Sequence, residues 1–490
     1  MQLKRGAWIA MLLLSLVMHW PHLKKDLISI HVWRQTQTQA TVRAFYEEDM
    51  HILHPRRDER GDGDGIFLME FPLMQWTVAA LWKITGPQLW VSRLFMFFCY
   101  CLAALALGKL VRQLLNSDAA GFVAAGGLLF SPAFYYHGIN PMPDNLALCL
   151  SLWGMAWFFQ YLSSGNRLHL LLGGVALAAG VAVKLPFVVW YAAPGWYFLQ
   201  QWWRTKTLQR LWIKGFIFFL PMLLPLSWYA WVIPQWKAHV ITQGILGNWE
   251  SLSNTLGYVA HNLISTLPEL LLGYALLPLF LAGTVLFFRN QAYRRAGFPV
   301  LAVWFLALAL FYVYEANAIR NDHDYYFYPF YPLVFLPVGL AVKELEGISG
   351  IWRKLALGVI LLAPLNTHLR MHQRWNPENP GFNVDVLRHK AALQAAVPEQ
   401  ALVVAGNDVS HFIWLYHLDK KGWCFDQDGL RADSLHAWRA RGAAFLYSDS
   451  RKLEGKPDIA AQFDRLVDSF GTVRVYALKP AARAQEQAIR

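Results

Sequence analysis

Side chains of catalytic types are concentrated in five short segments of an otherwise apolar sequence. These segments are residues 29–45, 54–72, 137–148, 182–187 and 319–332. Their arginines and lysines can bind an anion such as a phosphate, and their carboxylates and histidines can give or take a proton. Charged groups beside long apolar runs are costly unless they are paired or functional, so we expect the site among these segments.

The first segment, "SIHVWRQTQTQATVRAF", is polar along most of its length. On a helix, His31, Arg34 and Thr38 share one face, and the other residues form no clean apolar stripe. The guanidinium of Arg34 suits a phosphate or a carboxylate, while Gln35 and Thr38 can hydrogen-bond sugar hydroxyls. The alternative is an interfacial helix in which Trp33 is an aromatic anchor and Arg34 pairs with lipid headgroups.

The second segment, "HPRRDERGDGDGIFLMEFP", combines an acidic turn with one acid in apolar surroundings. Asp62 and Asp64 could bind a divalent cation, but a solvated turn is the usual outcome of such a run, and the twelve-residue calcium-loop pattern is absent. Glu70 differs because Met69 and Phe71 flank it. A carboxylate in that position is subject to desolvation and can be tuned for acid or base catalysis.

Two further segments each place one ionisable residue at a predicted helix end. Asp144 follows two prolines in "HGINPMPDNLAL" and starts an apolar run, which suits either an aimed carboxylate or a plain helix cap. Lys184 in "AVKLPF" ends an apolar run, where it could hold a lipid phosphate or extend to the headgroups. Both residues enter the candidate set.

The last segment, "IRNDHDYYFYPFYP", packs a cation, an imidazole and a carboxylate among tyrosines. An aromatic belt at a membrane interface is enough to explain Tyr325 and Tyr326. It does not explain why Arg320, His323 and Asp324 stand among them. All five residues are therefore candidates for binding a phosphate.

The composition places the chain in a lipid bilayer. Of its 490 residues, 56% are hydrophobic, 15% are aromatic and only 16% are charged, which is more apolar and less charged than a soluble globular protein. The net charge of +12 is distributed over short segments between apolar runs and forms no single amphipathic face. This pattern predicts contacts with membrane lipids and no nucleic-acid partner.

The apolar runs predict an α-helical polytopic membrane protein with about eleven transmembrane helices. We place these spans at residues 6–22, 89–111, 119–137, 145–162, 168–183, 185–200, 211–233, 267–288, 297–314, 326–342 and 353–369. Threaded alternately, they put the loops rich in lysine and arginine on the side of the N-terminus, which the positive-inside rule makes cytoplasmic. The run at 71–86 is short and interrupted by Gln75 and Lys83, so we expect an interfacial helix there.

Two domains are expected from the change in pattern near residue 370. Beyond it, helix-like stretches alternate with short strand-like ones, "ALVVAG", "AAFLYS" and "TVRVYAL". The prediction is a transmembrane module at 1–370, including an outer loop at 23–88, followed by a small soluble α/β domain at 371–490. All five polar segments then face the outer side of the membrane, where they can form one site.

The motifs resemble those of the bacterial GT-C glycosyltransferases related to the protein O-mannosyltransferases and the aminoarabinose lipid A transferases, a glycosyltransferase 39-like group. A long outer loop follows the first span, an "E-x-P" element contains Glu70, a "P-D" pair contains Asp144, and a "K-x-P" element contains Lys184. The "H-x-W-R-Q" signature at 31–35 is similar to one branch of the group. The resemblance covers residues 1–370.

The resemblance implies a GT-C fold and the transfer of a sugar, with inversion, from a polyprenyl phosphate donor. The acceptor would be a lipid, a glycan or a protein on the outer side of the membrane. Arg34, Lys184 and Arg320 would stabilise the charge of the leaving phosphate, and a carboxylate would take the proton of the acceptor. A divalent cation is left open.

Two positions depart from the family pattern. Many relatives carry an acid in the first outer loop, where this chain has Gln35, Thr36 and Gln37. A glutamine amide cannot act as a base. The role of base then passes to one of the remaining acids, Glu70, Asp144, Asp62 or Asp64, or else the chain binds without catalysis. Phe71 stands where relatives often have a phosphate-binding lysine, and Arg34 is expected to supply that charge.

The sequence thus predicts a multi-pass glycosyltransferase of the bacterial inner membrane, with a cytoplasmic N-terminus and a periplasmic C-terminal domain. The first alternative is a transporter or flippase for a lipid-linked sugar. Transporters commonly contain repeated halves and ionisable groups near the midplane, and the sequence shows neither. The second alternative is a receptor or scaffold whose outer tail is the working part.

Overall fold

The structure of the chain is a computed structural model, in which two compact units can be distinguished. The described residues are 5–60, 63–205, 208–236, 251–289, 298–319, 323–347, 350–426 and 429–481. The helical unit comprises Met1–Lys24, Met69–Met74 and Ser92–His372, and the sheet unit comprises Lys25–Leu68, Gln75–Val91 and Gln373–Arg490. Most of the outer loop that the sequence analysis groups with the transmembrane module therefore lies in the same compact unit as the C-terminal tail.

The described part of the helical unit is made almost entirely of helices. Its α-helices run over Arg5–His19, Leu89–Leu115, Asp118–Leu129, Pro132–His137, Pro143–Ser164, Arg167–Val183, Ala192–Thr205, Leu208–Phe219, Leu223–Val232, Leu252–His261, Leu277–Arg289, Phe298–Ile319, Tyr331–Leu345 and Ile351–Met371. A π-helix covers Asn262–Leu271, and 3-10 turns cover Trp20–His22, Leu185–Tyr191, Leu220–Met222, Ile233–Gln235 and Asp324–Phe330. The Leu73–Thr85 helix coincides with the predicted run at 71–86 and belongs partly to each unit.

Five helical stretches among the described residues are long and apolar enough to cross a membrane. They are Leu89–Leu115, Pro143–Ser164, Trp212–Gln235, Pro299–Ile319 and Asp324–Leu345. Three shorter apolar helices, Asp118–Leu129, Arg167–Val183 and Leu277–Arg289, accompany them. The mostly helical membrane fold is confirmed, whereas the count of eleven spans is not.

Prolines explain part of the difference between the predicted spans and the helices. The predicted span at 119–137 is two helices, because Pro132 lacks an amide hydrogen and starts a new helix after the first one ends at Leu129. The predicted span at 185–200 begins instead as a 3-10 turn that contains Pro186. Hydropathy alone does not register these breaks.

One helix hairpin determines where two candidate residues lie. The Pro143–Ser164 helix ends at Gly165, whose left-handed φ of 67° closes it, and the Asn166 side chain then caps the Arg167–Val183 helix. Because a short connection makes neighbouring helices antiparallel, the start of the first helix lies beside the end of the second.

Glycines allow close helix packing in this unit. A Cβ on Gly154 would lie only 2.9 Å from the backbone nitrogen of Leu177, across the hairpin. A Cβ on Gly283 would overlap the carbonyl group of Pro337 in the neighbouring Tyr331–Leu345 helix. Small residues at such contacts are typical of helix pairs in membranes.

The sheet unit has one five-stranded mixed sheet. Its strands are β1 (Leu402–Gly406), β2 (Lys421–Cys424), β3 (Ala443–Ser448), β4 (Phe463–Phe470) and β5 (Val473–Leu478), in the order β2-β1-β3-β5-β4. The first three are parallel, while β5 is antiparallel to both β3 and β4. Its helices are Val32–Glu47, Val384–Arg388, Lys390–Ala395, Ile413–Leu418, Ala432–Ala440, Arg451–Glu454 and Pro457–Ala460. The three strands predicted in the tail are confirmed as β1, β3 and β5.

The outer loop completes the β2 edge of this sheet. The amide of Arg60 donates to the carbonyl oxygen of Gly422 at 2.8 Å, and the amide of Gly422 donates to that of Asp58 at 3.1 Å. The Glu59 carboxylate lies 2.9 Å from Nδ1 of His411, and this bond raises the pKa of the imidazole above its ordinary value of 6.5 against the opposing effect of burial. Pairing of this kind leaves the β2 edge covered.

Candidate functional site

The helix hairpin brings Asp144 and Lys184 into contact. Asp144 lies in the first turn of its helix, which Pro143 starts, and Lys184 follows the last turn of the next helix. The backbone of Lys184 is extended at the point where the chain leaves this helix and enters the 3-10 turn Leu185–Tyr191. Its Nζ lies 3.3 Å from Oδ1 of Asp144. The hairpin therefore delivers a carboxylate and an ammonium to one place.

Glu70 provides a second carboxylate that contacts the ammonium group of Lys184. Its Oε1 accepts a hydrogen bond from Nζ of Lys184 at 2.9 Å. The chain on both sides of Glu70 is anchored, because Trp228 Nε1 donates to the Met69 carbonyl oxygen and the Phe71 amide donates to the Ala182 carbonyl oxygen, each at 3.0 Å. The exposed fractions of the Lys184, Glu70 and Asp144 side chains are 12%, 13% and 3%. This ammonium with its two carboxylates is called the Lys184 cluster.

Aromatic rings line the Lys184 cluster. Nζ of Lys184 lies 5.4 Å from the centre of the Tyr326 ring and 6.0 Å from that of Tyr325, which are cation–π distances. The His323 ring is stacked on Tyr326 at 5.0 Å. The structure therefore places two candidates from the fifth polar segment beside the lysine and a third, His323, against one of them.

A pair of buried, hydrogen-bonded side chains adjoins these tyrosines. Nε2 of His137 donates to Oδ1 of Asp324 at 2.7 Å, and both side chains are buried. The His137 ring also contacts the edge of Tyr325 at 5.9 Å. His137 was not selected from the sequence, although it lies in the same polar segment as Asp144. The residues around it, such as Tyr136 and Gly138, do not indicate an acidic partner far along the chain.

One carboxylate oxygen in the Lys184 cluster is available for chemistry. Within the residues that the structure describes, the buried Oδ2 atom of Asp144 has no hydrogen-bond partner. Burial of an unpaired carboxylate oxygen costs free energy, which makes this atom a candidate for contact with a ligand or a reacting group. Asp144 can thus hold the lysine with one oxygen and accept a proton with the other.

The candidates of the first segment lie in the sheet unit. The predicted helix is present as Val32–Glu47, and His31 precedes it with a left-handed φ of 56°. NH1 of Arg34 donates to Oε1 of Gln37 at 2.9 Å, and Nε2 of Gln35 donates to the Ile30 carbonyl oxygen at 3.0 Å. The helix is polar but mostly buried, which differs from the simple interfacial anchor considered as the alternative.

Three candidates remain, of which the structure describes only Asp64. Arg320 and Asp62 lie outside the described residues. Asp64 is 61% exposed, with Oδ1 accepting the Ile66 amide at 3.1 Å and Oδ2 at 3.9 Å from Arg56. These contacts favour a charged surface turn over a cation site at Asp64.

A known protein family matches part of the chain. Residues 70–229 match the family described as dolichyl-phosphate-mannose-protein mannosyltransferase. This match contains all three residues of the Lys184 cluster. No curated protein sequence matches the chain significantly.

Solved structures match the chain over nearly its whole length. ArnT from Cupriavidus metallidurans in the apo state is 14% identical, with a TM-score of 0.69 over 96% of this chain and 98% of that one. The same protein bound to undecaprenyl phosphate is 13% identical, with a TM-score of 0.67 over 97% and 98%. The apo oligosaccharyltransferase of Archaeoglobus fulgidus is 10% identical, with a TM-score of 0.55 over 91% and 69%. Residues 70–229 thus resemble the mannosyltransferase family, and the chain has the fold of ArnT over nearly its whole length, which supports the expected resemblance to the GT-C glycosyltransferases.

Proposed function

We propose that the chain transfers a sugar from a polyprenyl-phosphate-linked donor to an acceptor on the outer face of the bacterial inner membrane. The observation that carries the proposal is the Lys184 cluster, in which a largely buried ammonium is held between two carboxylates below two tyrosine rings. Such a group can bind a phosphate and neutralise the charge that develops on it. The similar fold of ArnT bound to undecaprenyl phosphate supports a lipid phosphate as the ligand.

The reaction needs one displacement at the anomeric carbon of the sugar. An oxygen or nitrogen of the acceptor forms a bond to that carbon while the bond from the carbon to the phosphate oxygen breaks. The electron pair of the broken bond stays on the phosphate, whose negative charge Lys184 stabilises. A single displacement from the side opposite the leaving group inverts the configuration.

Asp144 is the proposed base. The acceptor must lose a proton as its bond to the sugar forms, and Oδ2 of Asp144 is the buried acceptor atom available for it. Oδ1 is fixed by Lys184 at 3.3 Å, so the carboxylate is oriented before the substrates bind. Glu70, which holds the other side of Lys184, is the alternative base.

The charge of the Lys184 cluster requires a further cation. One ammonium and two ionised carboxylates leave an excess of one negative charge, which opposes the binding of a phosphate. Arg320, which is predicted to bind the phosphate, or a divalent cation could supply that positive charge. Arg34 also remains a predicted phosphate-binding residue. His31 and Gln35 remain proposed catalytic residues, and His323 and Asp324 remain proposed donor-binding residues.

The solved structures of similar fold support a broad class of acceptors. ArnT carries a lipid phosphate in its solved complex, and the Archaeoglobus fulgidus oligosaccharyltransferase was solved with a peptide and a dolichol phosphate. We propose a lipid, glycan or protein acceptor, a cytoplasmic N-terminus and a periplasmic sheet unit. We keep residue 370 as the end of the proposed membrane module. Most of the loop at 23–88 belongs to the sheet unit of the structure.

The test measures donor turnover in proteoliposomes. Undecaprenyl phosphates carrying mannose, glucose, galactose, arabinose or aminoarabinose are supplied, and release of undecaprenyl phosphate is followed with and without candidate acceptors. Release by the wild-type protein that is reduced in Asp144→Asn, Glu70→Gln or Arg34→Met supports the proposal. Wild-type turnover in all three variants would end it, and movement of a labelled donor across the bilayer without release would favour the flippase alternative.

A further inference from the structure

A fully buried arginine lies near the start of the Leu89–Leu115 helix. The side chain of Arg93 has no solvent-exposed surface, and its NH1 donates to Oδ1 of Asn140 at 2.7 Å. A charged side chain within an apolar helix is costly and is usually retained for a function. Arg93 is not among the residues that the sequence analysis selected.

Asn140 is the central residue of the turn that joins the Pro132–His137 and Pro143–Ser164 helices. Its Nδ2 donates to the Tyr136 carbonyl oxygen at 3.0 Å, and its amide donates to the His137 carbonyl oxygen at 3.0 Å. Its own carbonyl oxygen accepts the Met142 amide at 2.8 Å. Asn140 thus bonds to both sides of the turn, and Arg93 holds Asn140.

This turn connects two groups of the proposed site. His137, at its start, is bonded to Asp324, and Asp144 follows its end. A second bond ties the two ends together, because Asn145 Nδ2 donates to the His137 carbonyl oxygen at 2.6 Å. Any shift of the turn therefore moves the proposed base.

We propose that Arg93 is a positioning residue that fixes Asp144 through Asn140. This inference rests on the proposed function, since it concerns the carboxylate that takes the acceptor's proton. Arg93 donates to Asn140 in the turn that precedes Asp144, and this turn transmits its effect to the carboxylate. A displacement of about 1 Å at a reacting group can cost about a hundredfold in rate.

The kinetic test compares Arg93→Gln, Arg93→Lys and Asn140→Ala with a matched control. Arg112→Gln removes an arginine from the other end of the same helix, where it is 66% exposed and pairs with Asp118. Arg93→Gln should lower kcat for the best donor about a hundredfold, while KM for that donor stays within about threefold. Arg93→Lys should restore part of kcat, and Arg112→Gln should match the wild-type protein.

The same change made in the Asp144→Asn variant separates an effect on positioning from a loss of folding. Introduced into Asp144→Asn, the Arg93→Gln change should lower kcat by less than about threefold, because the group that it positions is already absent. An equal loss in both backgrounds would overturn the proposal.

Hydrogen–deuterium exchange of the full-length protein decides the question without a known donor. In Arg93→Gln the amides of residues 138–145 should exchange about tenfold faster, with the other helices unchanged, whereas Arg112→Gln should leave the turn protected. Unchanged exchange in the turn, or a uniform increase along the chain, would overturn the proposal. Failure of every donor to turn over would count against the proposed function while leaving this measurement intact.

Discussion

Replacement of Asp144 by asparagine tests the assignment of the base. The amide has nearly the same shape as the carboxylate, and its oxygen can still accept from Lys184 at the observed 3.3 Å. What is lost is the proton acceptor at Oδ2, which is buried and has no partner among the described residues. The perturbation therefore separates proton transfer from donor binding.

The expected magnitude follows from these roles. General base catalysis contributes about 10²–10⁴-fold, so Asp144→Asn should raise the barrier by about 3–5 kcal/mol and leave KM for the donor nearly unchanged. Glu70→Gln replaces a charge-assisted bond to Lys184 at 2.9 Å by a neutral one, which costs about 1–1.5 kcal/mol or about tenfold in kcat.

The assay is the initial rate of undecaprenyl phosphate release from a sugar-linked donor at saturation, normalised to folded protein. Asp144→Asn should be slower than Glu70→Gln by at least about tenfold. If Glu70→Gln abolishes turnover while Asp144→Asn remains within threefold of the wild type, the base is Glu70 and the reasoning from the free Oδ2 atom is wrong.

Three further predictions concern the lysine, the sheet unit and helix packing. Lys184→Met should weaken binding of undecaprenyl phosphate about 10- to 100-fold, measured by tryptophan quenching, because a charged hydrogen bond is lost; unchanged affinity would contradict its role. His411 has a raised pKa in the folded state, so its protonated bond to Glu59 stabilises the fold below pH 6.5, and this contribution disappears as pH rises through the raised pKa. The thermal midpoint should fall over that range in the wild type but not in Glu59→Gln, and identical pH profiles would refute the link. Gly283→Ala should lower Tm because the added methyl group meets Pro337, at a cost of about 1–3 kcal/mol, and an unchanged Tm would contradict the packing.

The membrane fold could be predicted in outline because long apolar runs are unstable in contact with water, so helices that cross a bilayer are their expected structure. Its details depended on prolines: Pro132 and Pro186 break runs that hydropathy reads as continuous. In the tail, β1, β3 and β5 carry clear apolar patterns, whereas β4 has charged residues on an exposed edge and β2 has only four residues. Both of these strands were missed.

The candidate site was predictable in its residue types but not in its pairings. Asp144, Glu70 and Lys184 stood out as polar residues at the ends of apolar runs, and the structure joins them. The partners His137 and Arg93 were missed because a bond to Asp324 or to a distant turn leaves no periodic pattern in the sequence. A single arginine inside a predicted span was the available signal for Arg93.

The central claim is that Lys184 binds the phosphate of a polyprenyl carrier, and a cryo-EM structure with undecaprenyl phosphate bound tests it most directly. The account predicts a phosphate oxygen within about 3 Å of Nζ of Lys184, with the Asp144 carboxylate beside the position of the sugar. A phosphate bound away from the Lys184 cluster, with the contacts of Lys184 to Glu70 and Asp144 unchanged, would contradict the account.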